Sequence, residues 1–173
     1  MLDRTALEYT TMVVESKHVD LKRLDLGYLA LFLGQRVNEL VVQRLVRAGF
    51  TNVRESHGYV VQHLIECERS ISDLARRMGV TQQAASKTVA EMIRLGILEA
   101  RTEEDRRAKV IRISERGWKS IHFSRRARAD FDRRLTRVVG IDRYRRVKVG
   151  LIACLTELGG VQRIQSRRVR RPQ

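Results

Sequence analysis

Apolar residues recur at helical spacing near both ends of the chain. In the N-terminal part this spacing predicts one long helix over residues 25–48, closed by Gly49. Two more helices are predicted later, one that begins at Ser114 and ends before Gly140, and one that restarts at Asp142. The apolar positions are Leu26, Leu29, Leu33, Val37, Leu40 and Val41 in the first helix, Trp118, Ile121, Phe131, Leu135 and Val138 in the second, and Tyr144, Val147, Leu151, Leu155 and Leu158 in the third.

The pattern changes in the middle of the chain, where two shorter helices are predicted. Ser72 is expected to cap the first, because its hydroxyl can accept hydrogen bonds from the free N–H groups of the first turn. Gly79 suits the tight turn that follows, since glycine adopts positive φ at low cost. Thr81 is expected to cap the second helix, which ends at Gly96. Its narrow apolar stripe consists of Ala85, Val89 and Met92.

Two strands are predicted after this helix pair. β-Branched residues and alternation over 97–101 and 109–113 indicate strands, and the segment between them is too polar for a core. Helix, turn, helix and hairpin in this order predict a winged helix-turn-helix, a module that reads DNA. The predicted fold class is therefore mainly α (α+β), with the DNA-binding lobe over residues 50–117.

The second helix of the pair carries a polar face suited to DNA. Gln and Lys side chains can hydrogen-bond to base edges, and hydroxyl and Lys side chains can contact phosphates. The predicted DNA-binding residues of this segment are Thr81, Gln82, Gln83, Ser86 and Lys87. Each of them alone is more typical of a solvated helix face, so the prediction depends on the turn, the hairpin and the charge of the chain together.

The hairpin tip holds a second candidate contact. Arg106 and Arg107 at such a tip can enter a minor groove, where narrow walls raise the negative potential. Asp105 beside them is expected to orient the arginines and so to support the wing. The alternative is a charged loop that only faces solvent.

Over residues 58–120 the sequence resembles the multiple-antibiotic-resistance regulator (MarR) family of bacterial transcription factors. The resemblance rests on three stretches, which are ISDLARRMGVTQQAASKTVAEMIRLGIL, EARTEEDRRAKVIRIS and the helix start SERG. It departs from the family at Ala84-Ala85, where a hydroxyl residue followed by a β-branched one is frequent. This departure bears on which bases are read and not on the fold.

The resemblance implies a homodimer whose second helices enter successive major grooves and whose wings reach the flanking minor grooves. It also implies a cleft for a small molecule between the dimer helices and the DNA-binding lobe. The candidate residues for that cleft are Tyr28, Phe32, His57 and Tyr59. These four are equally suited to core packing, and the sequence names no compound.

Composition supports a nucleic-acid partner and a single domain over residues 1–173. The chain has 35 Lys and Arg against 20 Asp and Glu, a net charge of +15 that attracts polyanions at long range. Residues 166–173 form a basic tail. A chain with 43% hydrophobic residues can form one sizeable core. The terminal helices, in residues 1–49 and 118–165, have no obvious core of their own and are expected to form a dimerisation bundle.

Other classes of function have weaker support. No signal peptide or long apolar span is recognisable, so a cytoplasmic location is expected. Cys67 and Cys154 form no CxxC pair, and oxidant sensing through Cys67 is a minor alternative. His63 and Cys67 are four residues apart on one predicted helix, with His57 nearby, but two ligands do not make a zinc site. Neither a metal nor a cofactor is predicted, and no catalytic motif indicates an enzyme.

These patterns together predict a sequence-specific transcription regulator. The expected form is a homodimeric repressor that binds a pseudo-palindromic operator in double-stranded DNA and is released by a small-molecule effector. The alternative is a low-specificity nucleoid or architectural protein that coats DNA. The polar face of the second helix separates the two, because an architectural protein does not need it.

Overall fold

The computed structural model describes residues 19–102 and 109–166. The chain divides into two units, residues 1–36 and residues 37–173. The predicted wing residues Asp105, Arg106 and Arg107 lie outside the described residues, as does the basic tail from residue 167 onward.

The described part of the first unit is helical and carries exposed apolar side chains. A short 3₁₀ helix, Leu21–Arg23, is capped by Asp20, whose carboxylate accepts a hydrogen bond from the Lys22 N–H at 3.0 Å. Helix α1, Leu26–Arg47, begins in this unit and continues into the second, which confirms the predicted helix. Its exposed apolar residues before position 37 are Leu26, Tyr28, Leu29, Leu31, Phe32 and Leu33.

The second unit contains the predicted pair of short helices, the hairpin and two long helices. The helices after α1 are α2 (Glu55–Leu64), α3 (Ile71–Met78), α4 (Gln82–Arg94), α5 (Glu115–Val139), α6 (Ile141–Glu157) and α7 (Gly160–Ser166). The strands are β1 (Arg69–Ser70), β2 (Leu98–Thr102) and β3 (Lys109–Ile113). This order confirms the mainly α fold class with a winged helix-turn-helix.

The sheet is antiparallel, in the order β1-β3-β2. In the hairpin, Leu98 lies opposite Ile113 and Ala100 lies opposite Ile111. On the other side of β3, Arg69 lies opposite Ile111. The sequence patterns did not predict β1, because two residues are too few to show alternation.

The caps of the helix pair agree with the sequence rules at two of three positions. Gly79 ends α3 with φ +68°, and the Thr81 hydroxyl caps α4 by accepting from the Ala84 N–H at 3.2 Å. The predicted cap at Ser72 was wrong, because α3 begins two residues earlier. Its cap is Ser70, whose hydroxyl accepts from the Asp73 N–H at 3.2 Å.

The core of the second unit joins the helix pair to the sheet and to α1, α2 and α5. The stripe predicted for α4 is buried, with Met92 fully inaccessible. Full burial of one such side chain stabilises the fold by about 1.5–3 kcal/mol. The other main contributors are Val41, Leu45, Val60, Leu64, Leu74, Met78, Leu98, Ile111, Ile113, Ile121 and Phe131.

The two long C-terminal helices differ in burial. Ser114 caps α5 by accepting from the Gly117 N–H at 2.9 Å, and Gly140, with φ +83°, separates α5 from α6. Val138 does not continue the predicted apolar face of α5, since it is 76% exposed. None of the residues of α6 is buried. Within the described residues, no helix is long and apolar enough to cross a membrane.

Candidate nucleic-acid interface

Helix α4 turns its apolar stripe inward and its polar residues outward. Ala85, Val89 and Met92 are buried against the rest of the lobe. At 100° per residue, Gln83 and Lys87 lie opposite this stripe. Gln82 and Ser86 lie nearer one edge of the outer face, and all four predicted side chains are exposed. We call α4 the reading helix, and we call this set of four the outer face.

Arg94 extends the outer face by two turns and was missed by the sequence reasoning. It lies seven residues after Lys87, at almost the same angle around the helix, and it is exposed. The spacing of seven residues between Lys87 and Arg94 could have identified it from the sequence. Thr81, by contrast, uses its hydroxyl to cap the helix. The N–H groups at a helix start can also bind a phosphate.

The carboxylate of Asp73 holds three arginines around the first helix of the pair. It accepts hydrogen bonds from Arg69 at 3.0 Å, from Arg77 at 2.9 Å, and from Arg76. These bonds, with that from Arg77 the strongest, keep the pKa of Asp73 well below its usual range. The contacts connect β1 to α3 and fix two exposed guanidinium groups, those of Arg76 and Arg77, on the outer side of α3.

An acidic residue of the reading helix, Glu91, lies one turn after Lys87 and is paired with Arg54. Glu91 is half-buried, and its Oε1 atom lies 2.7 Å from a guanidinium nitrogen of Arg54. The same oxygen lies 3.8 Å from Nε2 of the buried His57. No acidic residue occurs in the first turn of α4. This pairing could not be predicted from the sequence, because Arg54 and His57 lie at the start of a different helix, α2, more than 30 positions before Glu91.

A cavity of about 230 Å³ lies among α1, α2 and α5. Its apolar wall includes Val41, Leu45 and Ile121, and its polar groups include Arg54 and His57. At one side the Arg128 guanidinium donates to the Asn38 side-chain oxygen at 2.6 Å. The cavity therefore combines a mostly apolar wall with a few polar and positively charged groups, as ligand sites commonly do.

The four residues predicted for a ligand cleft belong to two helices, α1 and α2. His57 lies on the wall of the cavity. Tyr59, on the same helix, is 36% exposed and is not part of the wall. Tyr28 and Phe32 belong to the first unit, where their exposed rings are stacked with centroids 6.1 Å apart.

The cysteines and histidines raised as sensors are not assembled into a site. The prediction that His63 and Cys67 share a helix was wrong, because α2 ends at Leu64 and Cys67 lies in the bend that follows. Cys67 and Cys154 are both exposed and free. In the part of the chain that the structure describes, no three His, Cys, Asp or Glu residues are grouped as metal ligands.

The winged-helix lobe matches a known family. Residues 55–108 match the model of the MarR family. This segment runs from the first residue of α2 to the last residue before β3. No curated protein sequence matches the chain.

Several solved structures share the fold at low sequence identity. MepR, a transcription regulator of the Staphylococcus aureus multidrug efflux pump MepA, is 15% identical, with a TM-score of 0.63 over 78% of this chain and 99% of that protein. A complex of S. aureus MepR with DNA gives 16% identity and a TM-score of 0.62, over 76% of this chain and 98% of the other. The reduced form of MarR from E. coli is 16% identical, with a TM-score of 0.61 over 76% of this chain and 97% of that protein.

The family match and the fold point to the same conclusion. The predicted resemblance is confirmed: residues 55–108 match the MarR family model, and over most of its length this chain has the fold of MepR and MarR.

Proposed function

We propose that this protein is a sequence-specific DNA-binding regulator of transcription that acts as a homodimer. The observation that carries this proposal is the outer face of α4. Gln82, Gln83, Ser86 and Lys87 project there together, while Glu91, one turn further along, is paired with Arg54. Hydrogen-bonding side chains on a helix whose first turn carries no acidic residue are suited to base edges in a major groove.

The homodimer is supported by apolar surface on the terminal helices. The exposed apolar residues of α6 and the turn after it include Val147, Val149, Ile152, Leu155 and Leu158. Those of the first unit form a separate exposed set in α1. Apolar surface on this scale is typical of association sites. Two symmetric reading helices would then bind half-sites about one turn of DNA apart, roughly 10 bp.

A repressor role follows from where such a dimer binds. A dimer seated on a pseudo-palindrome within a promoter occludes the polymerase, and it is released when an effector moves the reading helices. The cavity supports an effector, because Arg54 lines the cavity and is paired with Glu91 of the reading helix. The proposed activity is one of binding, and none of its steps requires catalysis.

The test is selection of binding sequences from a library of randomised duplexes with the full-length protein. Fluorescence anisotropy then compares the selected duplex with a shuffled duplex of equal length, at low and near-physiological salt. We expect the selected duplex to bind on the order of 10³-fold more tightly at physiological salt. Light scattering of the same sample should give twice the mass of the chain.

The opposite outcome favours the architectural alternative. The net charge of +15 alone supports low-specificity binding. If no sequence is enriched, and both duplexes lose affinity together as salt rises, charge accounts for the binding and the proposal is wrong. A monomeric mass at working concentration would exclude the homodimer.

A further inference from the structure

The contact among Arg54, His57 and Glu91 joins the cavity to the reading helix. Arg54 and His57 belong to the start of α2 and line the cavity, whereas Glu91 belongs to α4. A role for this contact in regulating DNA binding rests on the proposed function.

The hydrogen bonds of His57 define its protonation state. Its Nδ1 accepts from the backbone N–H of Arg54 at 3.2 Å, so Nδ1 carries no proton and the ring is neutral, with its proton on Nε2. This bond satisfies one of the free N–H groups at the start of α2. Protonation of His57 would convert Nδ1 from an acceptor into a donor facing another donor, and the bond would be lost.

The charges around the ring act in opposite directions. Burial lowers the pKa of His57, Glu91 raises it, and Arg54 lowers it. Across the cavity, Arg125 and Arg128 of α5 add positive charge, and Glu55 at the start of α2 adds negative charge. The neutral ring is therefore the stable form near pH 7, and mild acid is needed to protonate it.

We propose that His57 and Glu91 form a proton-sensitive link through which the state of the cavity wall sets the position of the reading helix. In the neutral form, Arg54 is fixed by its backbone bond to His57 and pairs with Glu91 through its side chain. In the protonated form, the backbone bond is lost. Nε2, which lies 3.8 Å from Glu91 in this structure, then belongs to a charged ring that competes with Arg54 for the carboxylate. Glu91 then moves toward α2, and α4 moves with it as one rigid helix.

The experiment follows the reading helix without DNA. A trifluoromethyl label is attached at Gln83→Cys in a background in which the exposed Cys67 and Cys154 are both replaced by Ser. The label is about 12 Å along the helix axis from Glu91, beyond the screening length of ~8 Å at physiological salt. Its ¹⁹F chemical shift is recorded from pH 8 to pH 5, and we expect a sigmoidal change with a midpoint below the usual pKa of His.

Two variants and one control test whether the change in ¹⁹F chemical shift depends on His57 and Glu91. His57→Asn places a non-titrating oxygen near the position of Nδ1, and it should remove the sigmoidal change. Glu91→Gln should leave His57 titrating, as seen in imidazole NMR signals, while reducing the response of the label at least twofold. His122→Asn is the matched control, because His122 is exposed on α5 and lies against Trp118. It should leave the response unchanged.

Several results would overturn the link. They are a label that does not respond to pH, a response that persists in folded His57→Asn, and an unchanged response in Glu91→Gln. If His57→Asn does not fold by circular dichroism, Glu91→Gln decides alone, since Glu91 is partly exposed.

A second experiment measures DNA binding at two pH values, with the duplex selected in the test of the proposed function. Wild type should bind it on the order of tenfold more weakly at pH 5.5 than at pH 7.5. Simple addition of positive charge predicts stronger binding in acid, so stronger binding in acid would contradict the proposed direction. If no duplex is selected, the proposed function fails while the label experiment still decides the link.

Discussion

The carbonyl oxygen of Ile97 accepts two hydrogen bonds from Ser114, one from its backbone N–H at 3.1 Å and one from its hydroxyl at 3.0 Å. Ile97 lies three residues after the end of the reading helix, and Ser114 caps α5. The two residues therefore attach the end of the reading helix to the start of the long C-terminal helix. The same carbonyl is closely approached by Gly117, one turn into α5.

We expect Gly117→Ala to destabilise the fold by about 2–3 kcal/mol, because overpacking against rigid backbone is costly. A Cβ at this position would overlap the Ile97 carbonyl oxygen and lie 2.7 Å from a methyl group of Ile113. Urea unfolding followed by circular dichroism measures the change. Gly58→Ala on α2 is the control, since a Cβ there meets no atom within 4 Å. It should be neutral or stabilising by up to about 1 kcal/mol.

The N-cap of α3 gives a second prediction. Ser70→Ala should cost about 1 kcal/mol, because the Asp73 N–H loses its acceptor. Ser72→Ala, at the exposed residue that the sequence favoured, should change stability by less than about 0.5 kcal/mol. Chemical denaturation of both variants beside wild type checks the order. Equal losses in the two variants would contradict the observed cap.

Stability should fall in acid through Asp73. Its pKa is held below its usual range in the folded state by Arg77, Arg76 and Arg69, so the unfolded state takes up the proton first. The stabilisation is therefore fully present above about pH 5 and is lost progressively as the pH falls through about 4 and lower. Asp73→Asn should lower the free energy of unfolding at pH 7 by about 1–2 kcal/mol. It should also flatten the pH dependence, and an unchanged acid slope would show that other carboxylates account for it.

Two cations of the outer face should contribute separately to DNA affinity. Lys87→Ala and Arg94→Ala should each weaken binding to the selected duplex and reduce the slope of log K against log salt by about 1, if each neutralises one phosphate. Anisotropy titrations at several salt concentrations measure the slope. Lys119→Ala is the control, because Lys119 is already paired with Glu115 at 2.7 Å on α5. A slope that changes as much in the control would mean that net charge alone is measured.

The local parts of the fold were predictable because short-range rules decide them. Gly79, Thr81 and Ser114 act through their own backbone or through an N–H three residues away. The cap of α3 was not decided locally, since Ser70 and Ser72 are both suitable caps. Pairing of Arg69 and Ser70 with β3 fixes the chain immediately before Ile71, and this pairing joins residues some 40 positions apart.

In the candidate site, too, the features set by one helix were predictable and those set by packing between helices were not. The outer face of α4 follows from the position of Ala85, Val89 and Met92, so the sequence was sufficient to place it. The contact of Glu91 with Arg54 and His57 depends on how α2 packs on α4. No periodicity within either helix contains that information. The cavity could not be predicted from the sequence for the same reason, because its wall comes from three helices.

The position of β3 between β1 and β2 limits how this lobe can be excised or transplanted. A fragment that starts at Ile71 would keep the helix pair and the hairpin but would remove β1. The central strand would then become an open edge, with the N–H and C=O groups opposite Arg69 and Ser70 available to other chains. A grafted reading module should therefore begin before Arg69, so that the three strands are transferred together.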